Sequence, residues 1–179
     1  MKKNRRFFNS LKFVFLIILI FWAVHVLSLF VPLQRFGLVP RTMWGLIGIF
    51  TSPFLHANIY HLYANTMGIL TFGISFAFLE NRNAPYLIIE IIILQGTALW
   101  LFGRNGNHIG ASGLIFGLFG YLLLIGYFRK QFKFIIVSLG ILIFYGGTIG
   151  GILPTQEGIS WDGHLFGFCI GCLEAKYRA

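Results

Sequence analysis

Ser112 stands between two glycines in the stretch Gly110-Ala111-Ser112-Gly113 of a chain that is otherwise largely hydrocarbon. A serine hydroxyl is a weak nucleophile near neutral pH and needs an adjacent base, for which His164 is the natural candidate. Acyl transfer also needs donors aimed at the developing oxyanion. His61 and Asn65 are spaced i, i+4 and share one helix face, and the backbone N–H of Ser112, opening a helix, adds a third donor. Gly110 and Gly113 let a substrate backbone approach.

Other hydrolytic schemes fit less well. An aspartyl dyad needs two carboxylates at one site, and Glu90 alone is clearly within an apolar run. No H-E-x-x-H pattern occurs. His56 and His61, five residues apart, would turn about 140° on a helix and so not share a face for a metal. No lysine is placed as base. Asp162, two residues from His164, cannot face it on a helix; it is expected to cap the last helix, as is Ser160. His108, four residues before Ser112, is a rival base but is expected simply to be solvated in its loop. His25 and Glu90 are expected to be structural hydrogen-bonding groups.

The elements that must carry these groups are membrane helices. With 57% hydrophobic and 11% charged residues and a mean hydropathy of +0.80, the chain is too apolar for a soluble domain of its length. Runs of about 20 apolar residues fall near 11–33, 58–79, 84–103, 112–128, 132–151 and 161–177. They predict an all-α, polytopic bundle of six transmembrane helices in a single domain over residues 1–179, with 1–10 as a short basic cytoplasmic tail. Continuous rather than alternating runs argue against a β-barrel. The stretches GRNGNHIGAS and ILPTQEGIS read as loops.

The +9 net charge is distributed as a membrane protein distributes it, which argues against nucleic acid. Lys2, Lys3, Arg5, Arg6, Lys12, Arg82, Arg129, Lys130, Lys133, Lys176 and Arg178 flank alternate ends, and the other ends hold only Arg35, Arg41 and Arg104. Both termini are therefore expected in the cytoplasm, with the basic groups against lipid headgroups. The apolar N-terminal run is long and lacks a small-x-small cleavage site, so a retained anchor is expected. Cys169 and Cys172 lie inside a span and read as packing residues.

In this topology Ser112, His164, His61 and Asn65 all lie within about 10 Å of the outer helix ends. A lone polar group in a span commonly bonds its own backbone; four gathered at one depth point to function. Gly113, Gly117 and Gly120 follow Ser112 at helical spacing, and Gly167 and Gly171 follow His164. Such strips allow two backbones to meet closely and would bring Ser112 to His164.

These residues resemble the rhomboid intramembrane serine proteases. The resemblance rests on HANIYHLYAN (His-x4-His-x3-Asn), GASGLIFGLFGY (Gly-x-Ser-Gly) and GHLFGFCIG (His-x2-Gly-x3-Gly), and covers residues 37 to 174. It implies a Ser112–His164 dyad without an acidic third member, an oxyanion hole of His61, Asn65 and the Ser112 amide, and support from His56. It further implies stacking of Phe116 on His164, transmembrane protein substrates cleaved near the outer face, and no metal or organic cofactor. The short tails resemble the minimal bacterial form, implying a bacterial cytoplasmic membrane. Many relatives carry Trp-Arg in the first loop where this chain has Trp44-Gly45; Arg41 is the candidate to supply the missing charge. The competing readings are a non-proteolytic helix-binding relative and a small transporter. The latter would show repeated halves, and none is evident. Oligomeric state is not encoded legibly.

Overall fold

A computed structural model describes residues 2–154 and 158–179; Thr155, Gln156 and Glu157, within the second expected loop, lie outside them. The described residues form eight α-helices and no named strand: α1 (Lys2–Ser28), α2 (Gly45–Thr51), α3 (Ile59–Gly68), α4 (Ile74–Glu80), α5 (Ala84–Phe102), α6 (Ser112–Arg129), α7 (Phe132–Tyr145) and α8 (Trp161–Tyr177). A π-turn, Ile69–Gly73, joins α3 and α4 into one span. A 3-10 segment, Gly146–Ile152, extends α7.

Five of the six expected spans are long and apolar enough to cross a bilayer: Arg6–Ser28, Ile59–Glu80, Ala84–Phe102, Ser112–Arg129 and Phe132–Ile152. The sixth, α8, is 17 residues long, about 25 Å at the usual rise, with Asp162 in its first turn and Lys176 in its last. It packs along α6 through its glycines and leaves Cys169 and Leu173 exposed on its other side. The first helix differs from expectation at both ends. Residues 2–10, expected as a tail, are helical, and the helix stops at Ser28 rather than 33, ahead of Pro32, which disfavours helix in the residue before it.

The centre of the bundle is α6, where every residue from Gly113 to Leu122 is buried. A helix apolar on all sides belongs inside, and its glycines explain how neighbours reach it. A Cβ added at Gly167 would lie 2.0 Å from the Gly113 carbonyl oxygen, and one at Gly171 1.9 Å from that of Gly117. Gly120 faces the Phe168 carbonyl in the same way, at 2.5 Å. The two glycine strips thus form one seam between α6 and α8. By contrast α7 exposes Ile136, Leu139, Leu142, Ile143 and Phe144, an apolar face suited to lipid.

The charged groups at the end away from Ser112 are tied together. The buried Glu80 carboxylate accepts from Tyr121 Oη (2.6 Å) and Arg129 Nη1 (2.7 Å), and Arg129 also donates to the Arg178 carbonyl. Arg178 pairs with Glu90 and Glu174, which gives Glu90 the structural role expected of it. Ser10 donates to the Asn81 carbonyl, fastening α1 there. His25 Nδ1 has no partner among the described residues.

Candidate functional site

At the opposite end, Ser112, His61, Asn65, His164 and Phe116 line one open cavity of about 760 Å³. Their positions follow from local structure. Asn58 caps α3, its side chain accepting from His61 N at 2.9 Å, so His61 lies in the first turn. Asn65, one turn on, donates to the His61 carbonyl (2.8 Å), and its Oδ1 has no partner among the described residues. Gly110 has φ +108, a left-handed conformation costly for other residues, and a Cβ there would lie 2.4 Å from His61 Nε2. Gly110 N donates to the Ser52 carbonyl at 2.9 Å. The chain thereby turns so that Ser112 opens α6 with its N–H free of intrahelical bonding.

His164 is held from two sides. Its ring stacks on Phe116, 4.2 Å between centroids and 8° between planes, and its Nδ1 lies 2.8 Å from the Gly151 carbonyl oxygen. A carbonyl only accepts, so Nδ1 carries the proton and Nε2 keeps the lone pair. The orienting carbonyl was not among the sequence candidates. Its signal is the run GGTIGG, which the hydropathy pattern absorbs into the fifth span. There α7 tightens into the 3-10 segment, and Gly151 passes so close to Phe116 that a Cβ would lie 2.6 Å from Cζ.

Four expectations are corrected here. His56 precedes the Asn58 cap and is not on a helix, so the 140° argument does not apply; its ring meets His61 at 5.2 Å and Phe21 at 5.1 Å. Among the described residues no three His, Cys, Asp or Glu side chains form a metal-binding group. Ser160 precedes α8 without a capping side-chain bond, and Asp162 accepts from Arg104 N at 2.8 Å instead of capping. His108 is not solvated: it is buried, with Nδ1 2.6 Å from Ser160 Oγ and Nε2 2.9 Å from the Arg104 carbonyl. With both nitrogens engaged it is a poor base.

Burial, and then the neighbouring His61, lower the pKa of His56 to about 4. The unfolded chain takes up this proton near 6.5, whereas the fold resists it down to about 4. Stability is therefore full above pH 6.5 and falls as the pH drops from 6.5 to 4. An apparent Tm series in detergent should show this slope, and His56→Phe, which keeps the ring contacts, should flatten it. An unchanged slope in His56→Phe would show that other groups set it.

Arg41, the candidate for the charge absent beside Trp44, is bonded to the end of α5. Its guanidinium donates to the Gly103 carbonyl (2.8 Å) and to Asn105 Oδ1, and its N–H donates to the Trp100 carbonyl (3.0 Å). Trp100 Nε1 returns a bond to the Thr42 carbonyl (2.8 Å). The first loop is thus clamped to the C-terminus of α5. Losing about 1 kcal/mol of exposed, charge-assisted bonding in Arg41→Ala should lower the apparent Tm by roughly 2–4 °C; no shift would mean the clamp carries no stability.

Comparison with known proteins agrees with this architecture. Residues 40–178 match the Rhomboid domain family model. The chain is 38% identical over 148 residues to "Uncharacterized protein Rv1337" of Mycobacterium tuberculosis, covering 78% of this chain and 62% of that protein. It is 29% identical over 163 residues to "Putative rhomboid protease YdcA" of Bacillus subtilis, covering 79% and 73%. It is also 34% identical over 79 residues to "Inactive RHOMBOID-like protein 8" of Arabidopsis thaliana, covering 42% and 22%. The chain therefore spans just over three fifths of the length of its mycobacterial relative. With a family match across most of its length and a helical membrane bundle of the corresponding design, the chain belongs to the rhomboid family.

Proposed function

We propose that this protein is an intramembrane serine endopeptidase that hydrolyses peptide bonds in or near transmembrane segments, with Ser112 as nucleophile and His164 as base. The observation carrying this reading is the way His164 is held, which leaves Nε2 as its free basic nitrogen. The Gly151 carbonyl takes the Nδ1 proton and Phe116 fixes the ring, so the basic Nε2 is the free nitrogen, in a cavity that Ser112 also lines.

A helical substrate hides its carbonyls in its own hydrogen bonds, so it must unwind locally on entering the cavity. Ser112 Oγ attacks the exposed carbonyl carbon as His164 Nε2 takes the hydroxyl proton, and the tetrahedral oxygen collects the negative charge. His61, Asn65 Nδ2 and the Ser112 amide stabilise that charge. His164 then returns the proton to the leaving amine, and water deacylates Ser112. The cavity is open, which supports water access from the outer aqueous side. The basic residues at the other end support this topology, with both termini in the cytoplasm. The substrates are transmembrane proteins, and the surroundings are membrane lipids.

The test is a purified protein in liposomes with a transmembrane substrate and a fluorophosphonate probe for Ser112. Cleavage together with labelling supports the reading. Neither, from folded protein, favours a non-proteolytic, helix-binding role; substrate flux into the vesicles would instead indicate transport. Asn65→Ala and His61→Ala should each lower kcat by about 10²- to 10³-fold, read by initial cleavage rates; wild-type rates in both would remove them from the oxyanion site.

A further inference from the structure

We propose that His108 is a positioning residue, which through its hydrogen bond to Ser160 holds Ser112 and His164 in register; the proposal rests on the serine-hydrolase reading above. His108 lies four residues before Ser112, and Ser160 four before His164. The 2.6 Å contact between them thus joins the two loops that launch the two helices bearing the dyad.

Each end of this strut is anchored. His108 exchanges backbone bonds with Leu38 of the first loop (N–H to the Leu38 carbonyl 2.8 Å, carbonyl from the Leu38 N–H 2.9 Å). Its Nε2 lies 2.9 Å from the Arg104 carbonyl, which only accepts, so Nε2 carries a proton and Nδ1 is the nitrogen that meets the Ser160 hydroxyl; that hydroxyl also lies 3.2 Å from Asp162 Oδ1, and the shorter contact is the one to His108. Ser160 in turn receives the His164 N–H on its carbonyl at 3.1 Å. A second strut runs beside the first: Arg104 N and guanidinium both reach the Asp162 carboxylate, at 2.8 and 3.4 Å.

The strut supplies what the glycine seam lacks. Bare backbones meeting at Gly113 and Gly167 fix how close α6 and α8 lie, but without side chains they offer little to key one helix axially against the other. A hydrogen bond at the helix entrances fixes that sliding coordinate, on which the Ser112 Oγ to His164 Nε2 approach depends. About 1 Å of misplacement suffices to cost about 10²-fold in rate.

The experiment uses the full chain in liposomes and reads kcat and KM on a transmembrane substrate, the fluorophosphonate labelling rate of Ser112, and apparent Tm. His108→Ala and Ser160→Ala are each expected to lower kcat and labelling by roughly 10- to 100-fold with KM nearly unchanged. The double variant should be no worse than the weaker single, because one bond is lost in all three. Ser160→Thr and His108→Asn, which keep a partner atom near the same place, should recover most of the loss. If one alanine variant does not fold, the other is compared with its conservative partner, Ser160→Ala with Ser160→Thr or His108→Ala with His108→Asn, and reads the same bond. Multiplying losses in the double variant, unaltered kcat, or loss that tracks Tm alone would overturn the proposal. The wild type is read first: if it neither labels nor cleaves, the hydrolase reading fails and takes this one with it, whereas an active wild type with uncoupled variants defeats only the strut.

Discussion

Replacing Ser112 by alanine is expected to abolish cleavage of a transmembrane substrate while leaving the bundle folded. The hydroxyl makes no hydrogen bond to any described residue; it faces the cavity beside Phe116 and His164. Its removal therefore leaves no buried group unpartnered and costs little stability. Catalysis loses its nucleophile, and residual turnover from the oxyanion donors alone should lie at least about 10⁴-fold below wild type. Gel-based cleavage in liposomes, with an apparent Tm measured on the same preparation, checks both halves. A Ser112→Ala protein that melts like the wild type and still cuts would eliminate the proposed mechanism.

Gly167→Ala is expected to have the largest structural effect. The added Cβ would fall 2.0 Å from the Gly113 carbonyl oxygen and 2.9 Å from its carbonyl carbon. Both are backbone atoms, so no rotamer change can relieve the overlap, and the helices must move apart by more than about 1 Å to reach ordinary contact. Gly113 follows Ser112 directly and Gly167 is one turn below His164, so the displacement passes straight to the dyad. A loss of at least about 10²-fold in kcat, with a lowered Tm, should follow. Gly140→Ala is the control: it lies on α7, where an added Cβ would meet nothing within 4 Å, and there alanine should be neutral or slightly stabilising. Wild-type rate and melting in Gly167→Ala would mean that the backbones do not meet there.

The two variants separate the chemistry of the site from its support. The first removes a reacting atom without touching packing, and the second leaves every proposed reacting atom in place and shifts one helix against another. His56 contributes to support in a further way, since its burial between Phe21 and His61 makes the wall behind the proposed oxyanion donors sensitive to acid.

Spacing along a single segment is enough to dictate a good part of this protein. Long apolar runs had to become spans, His61 and Asn65 had to share a face, and the glycines after Ser112 and His164 had to line strips wide enough for backbone contact. These are consequences of helical periodicity, which is local. Which groups from different segments meet was settled by packing alone. It set the Gly151 carbonyl on His164 Nδ1 and so chose the tautomer; it engaged both nitrogens of His108, closed Arg41 over the end of α5, and placed His56 before a helix rather than on it. The contacts of Gly151 with His164, of Ser160 with His108 and of Gly103 with Arg41 join residues 13, 52 and 62 positions apart, and no periodicity connects them. Loops with little regular structure satisfy their polar groups with whatever the packed helices bring near, and that is known only once the helices have packed.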